Sequence, residues 1–284
     1  MRHILITGGT GTLGKALIER LYEDNFIHVL SRDENKQKAL KREYPQVMCH
    51  VGDVCDREDL HRISHWTFTH VFHCAASKHI EICEENVAKC VKVNYEGTKN
   101  VYEILGKFCE KFVFFTTDKA VAPINAYGYS KALAEKYLQE PANKNVWIFR
   151  WGNILGSTGS VLSLFVDAIK NDKPVFVTSN DMTRFWLTID SAAKYVLDTI
   201  KQRKPRTYFP PFVKSATLPQ LIEAIESIIG NKAIVKTIGL RAGEKIHEAM
   251  EVNEFGVQIS SETCKRFEKD ELKALIAPIV EEMK

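Results

Sequence analysis

Ile4-Leu5-Ile6-Thr7-Gly8-Gly9-Thr10-Gly11-Thr12-Leu13-Gly14 decides the fold of this chain. Three apolar residues read as a buried strand, and residues 13–22 read as the helix that follows. The glycines between them have separate tasks. Gly8 can take the tight turn, Gly11 lets the backbone approach a pyrophosphate, and Gly14 lets helix and strand pack closely. The helix N-terminus then offers N–H groups and the positive end of its dipole to the phosphates. A glycine-rich turn without a ligand is the plain alternative, but the strand–turn–helix setting favours the phosphate site.

The same alternation continues outward. Short apolar runs at 27–30, 47–51, 71–75, 112–115 and 146–149 predict buried strands. Residues 34–44, 57–64, 87–108 and 126–138 have helical spacing. Strand and helix in turn predict an α/β fold, a doubly wound parallel Rossmann sheet covered on both faces. The second half is less regular, with helices expected at 162–170, 191–201, 218–229 and 272–282. Short strands are expected at 175–178, 184–188, 207–209 and 234–238. We read residues 1–150 as a Rossmann core that carries the catalytic residues. Residues 151–284 read mainly as a smaller C-terminal substrate-binding lobe, with some segments returning to the core.

Composition narrows the function classes. Of 284 residues, 45% are hydrophobic and the net charge is only +3. Such a chain can bury a core, and that charge points to neither a nucleic acid nor a membrane partner. No apolar run approaches the roughly 18 residues of a membrane span, and the chain enters its first strand with no room for a signal peptide. The seven cysteines include no Cys-x-x-Cys pair. Neither a disulfide framework nor a zinc site is expected, and a cytoplasmic location fits best. Cys83 and Cys90, seven apart on helix-like sequence, read as small core residues. The histidines show no metal-like clustering, so no metal is expected, and His70 and His73 read as structural.

The second strand ends at Leu30-Ser31-Arg32-Asp33. An acid at that tip would hold a ribose 2′-hydroxyl, whereas here Ser31 and Arg32 come first and Asp33 reads as a helix N-cap. A guanidinium there suits the 2′-phosphate of NADP. A solvated surface arginine is the alternative. Asp53, in Gly52-Asp53-Val54 after the third strand, could accept from an adenine amino group.

The densest chemistry is Thr116-Thr117-Asp118-Lys119, followed by Tyr127-x-x-x-Lys131. The first group ends the fifth strand, where open α/β sheets place ligands. Tyr127 and Lys131 share a helix face. An ammonium near the phenol would lower its pKa and make Tyr127 a usable base. Thr117 can hydrogen-bond the same substrate oxygen. Tyr-x-x-x-Lys alone is commonly a surface pair, and its neighbours here give it weight.

These segments resemble the extended short-chain dehydrogenase/reductases, and most closely the polysaccharide-biosynthesis branch that contains inverting UDP-N-acetylglucosamine 4,6-dehydratases. The resemblance also rests on Ala75-Ala76-Ser77-Lys78-His79, Pro123-Ile124-Asn125-Ala126-Tyr127-Gly128, Arg150-Trp151-Gly152-Asn153 and residues 156–161. It extends through Met182-Thr183-Arg184-Phe185-Trp186 and Arg241-Ala242-Gly243-Glu244-Lys245-Ile246-His247-Glu248, in family order over about residues 1–250. The chain is short for the family, and the tail after Val252 matches no segment and receives no function. Large members carry N-terminal membrane spans, and none is expected here.

The cofactor-binding set is Thr7, Gly8, Thr10, Gly11, Thr12, Leu13, Gly14, Ser31, Arg32, Asp53, Val54, Ala75, Ala76, Lys78, Asn94, Tyr127 and Lys131. A UDP-sugar is the expected substrate. Thr183, Arg184 and Arg241 could supply donors and charge for its diphosphate, and Asn153 could contact phosphate or sugar. Glu244 could accept from ribose hydroxyls, and Lys78 could face the sugar. Arg184 reads alternatively as a surface ion pair and Glu244 as a helix-start acid. Trp151, Phe185 and Trp186 read as core or pocket wall. A homo-oligomer is expected.

The resemblance implies that Tyr127, with Lys131 and Thr117, takes the C4 hydroxyl proton as hydride leaves C4. Lys119, as neutral amine, would take the C5 proton, and protonated Asp118 would assist loss of the C6 hydroxyl. A 4-epimerase would need only Tyr127, Lys131 and cofactor. A non-catalytic NADP-binding sensor would need no catalytic set at all.

Overall fold

β1 (Arg2–Thr7) lies between β2 (Asn25–Ser31) and β4 (His70–His73) in the computed structural model, which describes residues 1–157, 159–253 and 256–283. Ile4 of β1 is in parallel register with Ile27 of β2 and His70 of β4. The sheet grows outward through β3 (Met48–Val51) on one side. On the other it grows through β5 (Lys111–Thr117), β6 (Val146–Trp151) and β10 (Thr207–Tyr208). Its order is β10-β6-β5-β4-β1-β2-β3. The chain therefore reverses direction across the sheet between β1 and β4, which is where doubly wound folds bind ligands. The fold is the α/β Rossmann sheet expected from the alternation.

The chain divides into two compact units. The first comprises Met1–Arg150 and Ala193–Phe209, and the second comprises Trp151–Ala192 and Pro210–Lys284. Leu5, Leu30, Val71, Phe112, Phe114 and Ile148 build one core of the first unit, with Val101 and Leu105 packed on them. The second unit has a three-stranded sheet of β11 (Lys214–Thr217), β9 (Thr183–Thr188) and β7 (Asn153–Leu155). Its core joins α8 (Val161–Lys170), α10 (Leu218–Ile229) and α11 (Lys269–Glu282), through Leu162, Phe165, Leu221, Ile225, Leu272 and Ile276. Trp186 belongs to this core and Phe185 is fully buried, so both are packing residues. The tail left without a function supplies α11 and the strand β14 (Gly256–Ser260), which pairs with β13 (Ala249–Asn253). Thr158, within the 156–161 segment, lies outside the described residues, as do Glu254, Phe255 and Lys284.

The expected helix at 87–108 is a composite. α5 (Val87–Val91) and α6 (Gly97–Val101) alternate with π-helical stretches Lys92–Glu96 and Tyr102–Gly106. A separate α4 (Ile80–Glu85) precedes it, and Asn86 breaks the two apart by capping α5 through Lys89 N. That break corrects the cysteine reading. Along one continuous helix, residues seven apart would be about 10 Å from each other. Here Cys83 and Cys90 have Cα atoms 5.2 Å apart and form a disulfide.

Histidines scattered in the sequence meet across the strands. His28 Nε2 lies 2.9 Å from His3 Nδ1, and His28 Nδ1 lies 3.0 Å from His50 Nε2. Burial, then His50, His3 and His65, pushes His28 down to about 3. Burial, then Lys131, pushes His73 down to about 3. Burial, then Lys111 and Arg2, pushes His70 down to about 4. An unfolded imidazole titrates near 6.5. Below that pH the unfolded chain binds protons that the folded chain excludes, so stability falls as pH falls from about 6.5 towards 4. The expected loss is up to about 4 kcal/mol per pH unit for the three histidines together. Urea unfolding at pH 7, 6 and 5 checks it, and a flat profile would show charged histidines in the folded state.

Candidate active site

The glycine turn fits a diphosphate. Gly8 has φ +66, and a Cβ there would lie 2.8 Å from Ala75 N at the sheet reversal. A side chain would therefore be both strained and obstructed. At Gly11 a Cβ would meet only Gly8 O, at 3.2 Å, so the space in front of the turn is open. Gly11 is also the N-cap of α1 (Thr12–Leu21) and provides no side-chain cap. The first turn of α1 thus presents backbone donors to an anion. Thr10, Thr12 and Leu13 are half-buried around it. Thr7 is fully buried and braces the reversal: its hydroxyl lies 2.7 Å from His73 Nδ1 and accepts from Ala75 N. Ala76 and Lys78 follow on the exposed loop after β4.

The expected adenosine end is organised by a residue the sequence reading missed. Gln37 is buried, and its Nε2 donates to Ser31 O, Ser31 Oγ and His50 O. It ties the tips of β2 and β3 and leaves Arg32 projecting, 66% exposed, with Asp53 Oδ2 at 3.8 Å. Asp53 Oδ1 accepts from Cys55 N, and Val54 is buried beside it. Asn94, in the first π-helical stretch, accepts from Ser77 N and donates to Ser77 O and Ser130 Oγ. It braces the Ser77–Lys78 loop against α7 (Ala126–Leu138).

β5 ends at Thr117 and passes into a 3-10 turn, Asp118–Ala120. Thr117 Oγ1 accepts from Lys119 N and donates to Asp118 Oδ1 at 3.0 Å. Lys119 Nζ donates to the same oxygen at 3.0 Å. Asp118 is fully buried, and its Oδ2 has no hydrogen-bond partner among the described residues. A buried acceptor without a partner is costly, and such atoms commonly mark functional sites. Ala122, in the loop that follows, has φ +43 immediately before Pro123, a strained backbone of the kind that clusters at such sites.

α7 begins at a defined point. Asn125 caps it by accepting from Gly128 N at 2.7 Å, and Glu84 Oε1 accepts from Ala126 N at 2.6 Å. This fixes Tyr127 in the first turn. The phenol's pKa departs from the sequence expectation: it is pushed up, with burial as the largest cause. Lys119 and a hydrogen bond with Thr117 act downward, and Asp118 acts upward. Lys119 is thus a cation that acts on the phenol. Lys131 Nζ donates to Phe115 O at 2.8 Å and lies 4.4 Å from the Phe114 ring centroid. Burial lowers Lys131 to about 8, with Glu135 and Cys74 acting upward.

In the second unit, two expected phosphate ligands hold a loop. Arg184 Nη1 donates to Thr183 O and Ile246 O, and Nη2 donates to Lys245 O. Thr183 is fully buried, its hydroxyl 2.8 Å from His247 Nδ1 and 2.7 Å from Ser261 Oγ. Both residues fasten the 241–248 loop to β9. Arg241 is exposed on that loop. Glu244 belongs to a turn rather than a helix start, and its Oε2 accepts from Arg241 N at 3.1 Å. Asn153 opens β7, in register with Trp186. The fastening was hidden in sequence because Ser261 and His247 lie 78 and 64 residues from Thr183.

A parallel sheet with a glycine turn at its reversal, and with Thr117, Asp118, Lys119 and Tyr127 gathered after β5, defines an extended short-chain dehydrogenase/reductase. Within that class the chain belongs to the polysaccharide biosynthesis protein family, whose model matches residues 4–268. It is 34% identical to a UDP-N-acetylglucosamine 4,6-dehydratase (inverting) from Campylobacter jejuni, over 88% of this chain and 77% of that protein. It is 32% identical to a UDP-glucose 4-epimerase from Rickettsia massiliae, over 87% and 76%. The solved structure of Pen from Bacillus thuringiensis is similar over 98% of this chain and 97% of that one, with a TM-score of 0.87 and 28% identity.

Proposed function

We propose that the protein is an NADP-dependent, inverting 4,6-dehydratase of UDP-N-acetylglucosamine. Its product would be UDP-2-acetamido-2,6-dideoxy-β-L-arabino-hexos-4-ulose. The observation that carries this reading is the pair of buried Asp118 and half-buried Lys119 beside Thr117 and Tyr127. Epimerisation at C4 needs one base and a cofactor, whereas elimination across C5 and C6 needs a second base and an acid. The likeness to the Campylobacter jejuni dehydratase points the same way.

Tyr127 takes the C4 hydroxyl proton while Thr117 hydrogen-bonds the same oxygen. A bound nicotinamide supplies reversible hydride transfer. The resulting 4-keto group acidifies C5–H. Proton transfer from the Lys119 ammonium to the Asp118 carboxylate, across 3.0 Å, gives a neutral amine and a neutral acid together. Lys119 then takes the C5 proton, and Asp118 protonates the departing C6 hydroxyl; the hydride taken from C4 would return to C6 and a solvent proton would be added at C5, so the net change is loss of one water. The glycine turn holds the diphosphate of NADP, with Ser31, Arg32, Asp53 and Val54 at its adenosine end. Lys78 and Asn153 are assigned to the sugar side. Arg241 and Glu244 are assigned to the UDP, on a loop held by Thr183 and Arg184. No helix among the described residues is long and apolar enough to cross a membrane.

Turnover of UDP-N-acetylglucosamine in D2O, followed by NMR and mass, tests the reading. The expected product has lost one water, carries one solvent deuterium at C5 and shows L-arabino couplings. Deuterium at C5 with the original D-xylo configuration would defeat inversion and leave dehydration intact. An epimer of unchanged mass would favour the epimerase reading that the Rickettsia relative supports. Bound cofactor without turnover of any UDP-sugar would favour the sensor.

Arg32→Ala should weaken NADP about tenfold or more, equivalent to about 1.5 kcal/mol for a charge-assisted bond, and leave NAD nearly unchanged. The low end applies because Arg32 is largely exposed and already near Asp53. Paired Kd measurements for the two cofactors check it. Equal weakening would show that Arg32 does not read the 2′-phosphate.

A further inference from the structure

Tyr127, Lys131 and Glu135 recur every four residues along α7 and form one stripe of that helix. Lys131 and Glu135 are both buried, at 2% and 5% exposure. Burying an ionised group requires a partner of opposite charge or a full set of hydrogen bonds. Glu135 has such a partner in Arg150, near the end of β6. Arg150 Nε reaches Oε1 at 3.3 Å and Nη2 reaches Oε2 at 2.5 Å, the two-pronged geometry that fixes a carboxylate most firmly. Lys131 is held differently, by one carbonyl and one aromatic face. These fix its position and leave its charge to be balanced at longer range.

We propose that Glu135, clamped by Arg150, is a positioning residue that keeps the buried Lys131 side chain as an ammonium. The groups acting on Lys131 come from two places. On its own helix there is Glu135, and from β4 and the residue after it there are His73 and Cys74. Burial keeps His73 neutral and pushes the Cys74 thiol up, so neither carries charge near neutral pH. Glu135 is thus the ionised acid that opposes the effect of burial on Lys131. The inference rests on the assignment of Lys131 to the active site, but its test does not.

The test is NMR of protein labelled with 13Cε-lysine, without substrate or cofactor. The Lys131 signal is identified by its loss in Lys131→Met and followed from pH 6 to 10. The wild-type midpoint is expected near 8. In Glu135→Gln it should fall by about one to two pH units, the effect of removing one charge about a helical turn away. Glu135→Asp should restore most of it. Glu135→Gln strands a buried guanidinium, so Glu135→Gln/Arg150→Met is measured beside it as a folded control lacking both charges. That variant should show a smaller fall in the same direction. In turnover, the ratio of Glu135→Gln to wild type should drop as pH rises from 6 to 8, whereas a purely structural defect would lower it equally throughout. An unchanged Lys131 midpoint in the folded variants would overturn the proposal. A shifted midpoint in a protein that fails to dehydrate UDP-N-acetylglucosamine would support it and count against the dehydratase reading alone.

Discussion

Lys119→Ala is expected to reduce water loss from the substrate by at least about 10³-fold, within the range found when a positioned acid or base is removed. Cofactor affinity should change less than twofold. The size of the effect follows from the three connections of one amine. Lys119 Nζ is paired with Asp118 Oδ1, acts downward on the Tyr127 phenol, and is the assigned base at C5. Without it, the buried Asp118 carboxylate keeps the Thr117 hydroxyl as partner. A buried charge stripped of its partner costs about 3–5 kcal/mol. The variant is therefore expected to be less stable than wild type. Rapid-quench turnover, deuterium incorporation at C5 and urea unfolding separate these consequences. Dehydration at the wild-type rate would remove Lys119 from the mechanism. A variant that loses dehydration yet still interconverts C4 epimers would divide the work between Lys119 and Tyr127.

The residues after β5 were legible because their chemistry is local. Thr117, Asp118 and Lys119 are consecutive, Tyr127 and Lys131 lie one helical turn apart, and each spacing carries its own physical meaning. The glycine turn was legible for the same reason, since strand, turn and helix occupy one short stretch. Sequence distance hid the supports. Gln37 fixes the tips of two strands through bonds to Ser31 and His50. Glu135 meets Arg150 from another element. Periodicity also failed where backbone pairing needs few apolar residues. β7 has three residues, and β11 is Lys214-Ser215-Ala216-Thr217, so neither presents an apolar run. A shared helix face puts Lys131 on the same side of α7 as Tyr127, but a face says nothing about which way a long side chain turns, and here Lys131 Nζ donates to the carbonyl of Phe115.

Gly128→Ala should couple stability to catalysis in the second large effect. Gly128 is in the first turn of α7, next to Tyr127, and a Cβ there would lie 2.3 Å from Lys119 O and 3.1 Å from Pro123 Cβ. The nearer obstacle is backbone, which cannot rotate away as a side-chain tip can. The methyl group must therefore push α7 and the Asp118–Ala120 turn apart, against the Asn125 cap that holds Gly128 N. Overpacking of this kind costs about 1–3 kcal/mol. The same displacement moves Tyr127 away from Lys119 and Thr117, and a misplacement near 1 Å can cost about 10²-fold in rate. Gly230→Ala separates the two effects. Gly230 ends α10 with φ +89, and a Cβ there meets nothing within 4 Å. That variant should lose about 1 kcal/mol through backbone strain alone and keep its turnover number. Unfolding midpoints and kcat measured on both variants test the contrast. If Gly128→Ala kept full turnover while losing as much stability as Gly230→Ala, the close contact between Gly128 and Lys119 would be a packing feature without a part in aligning the site.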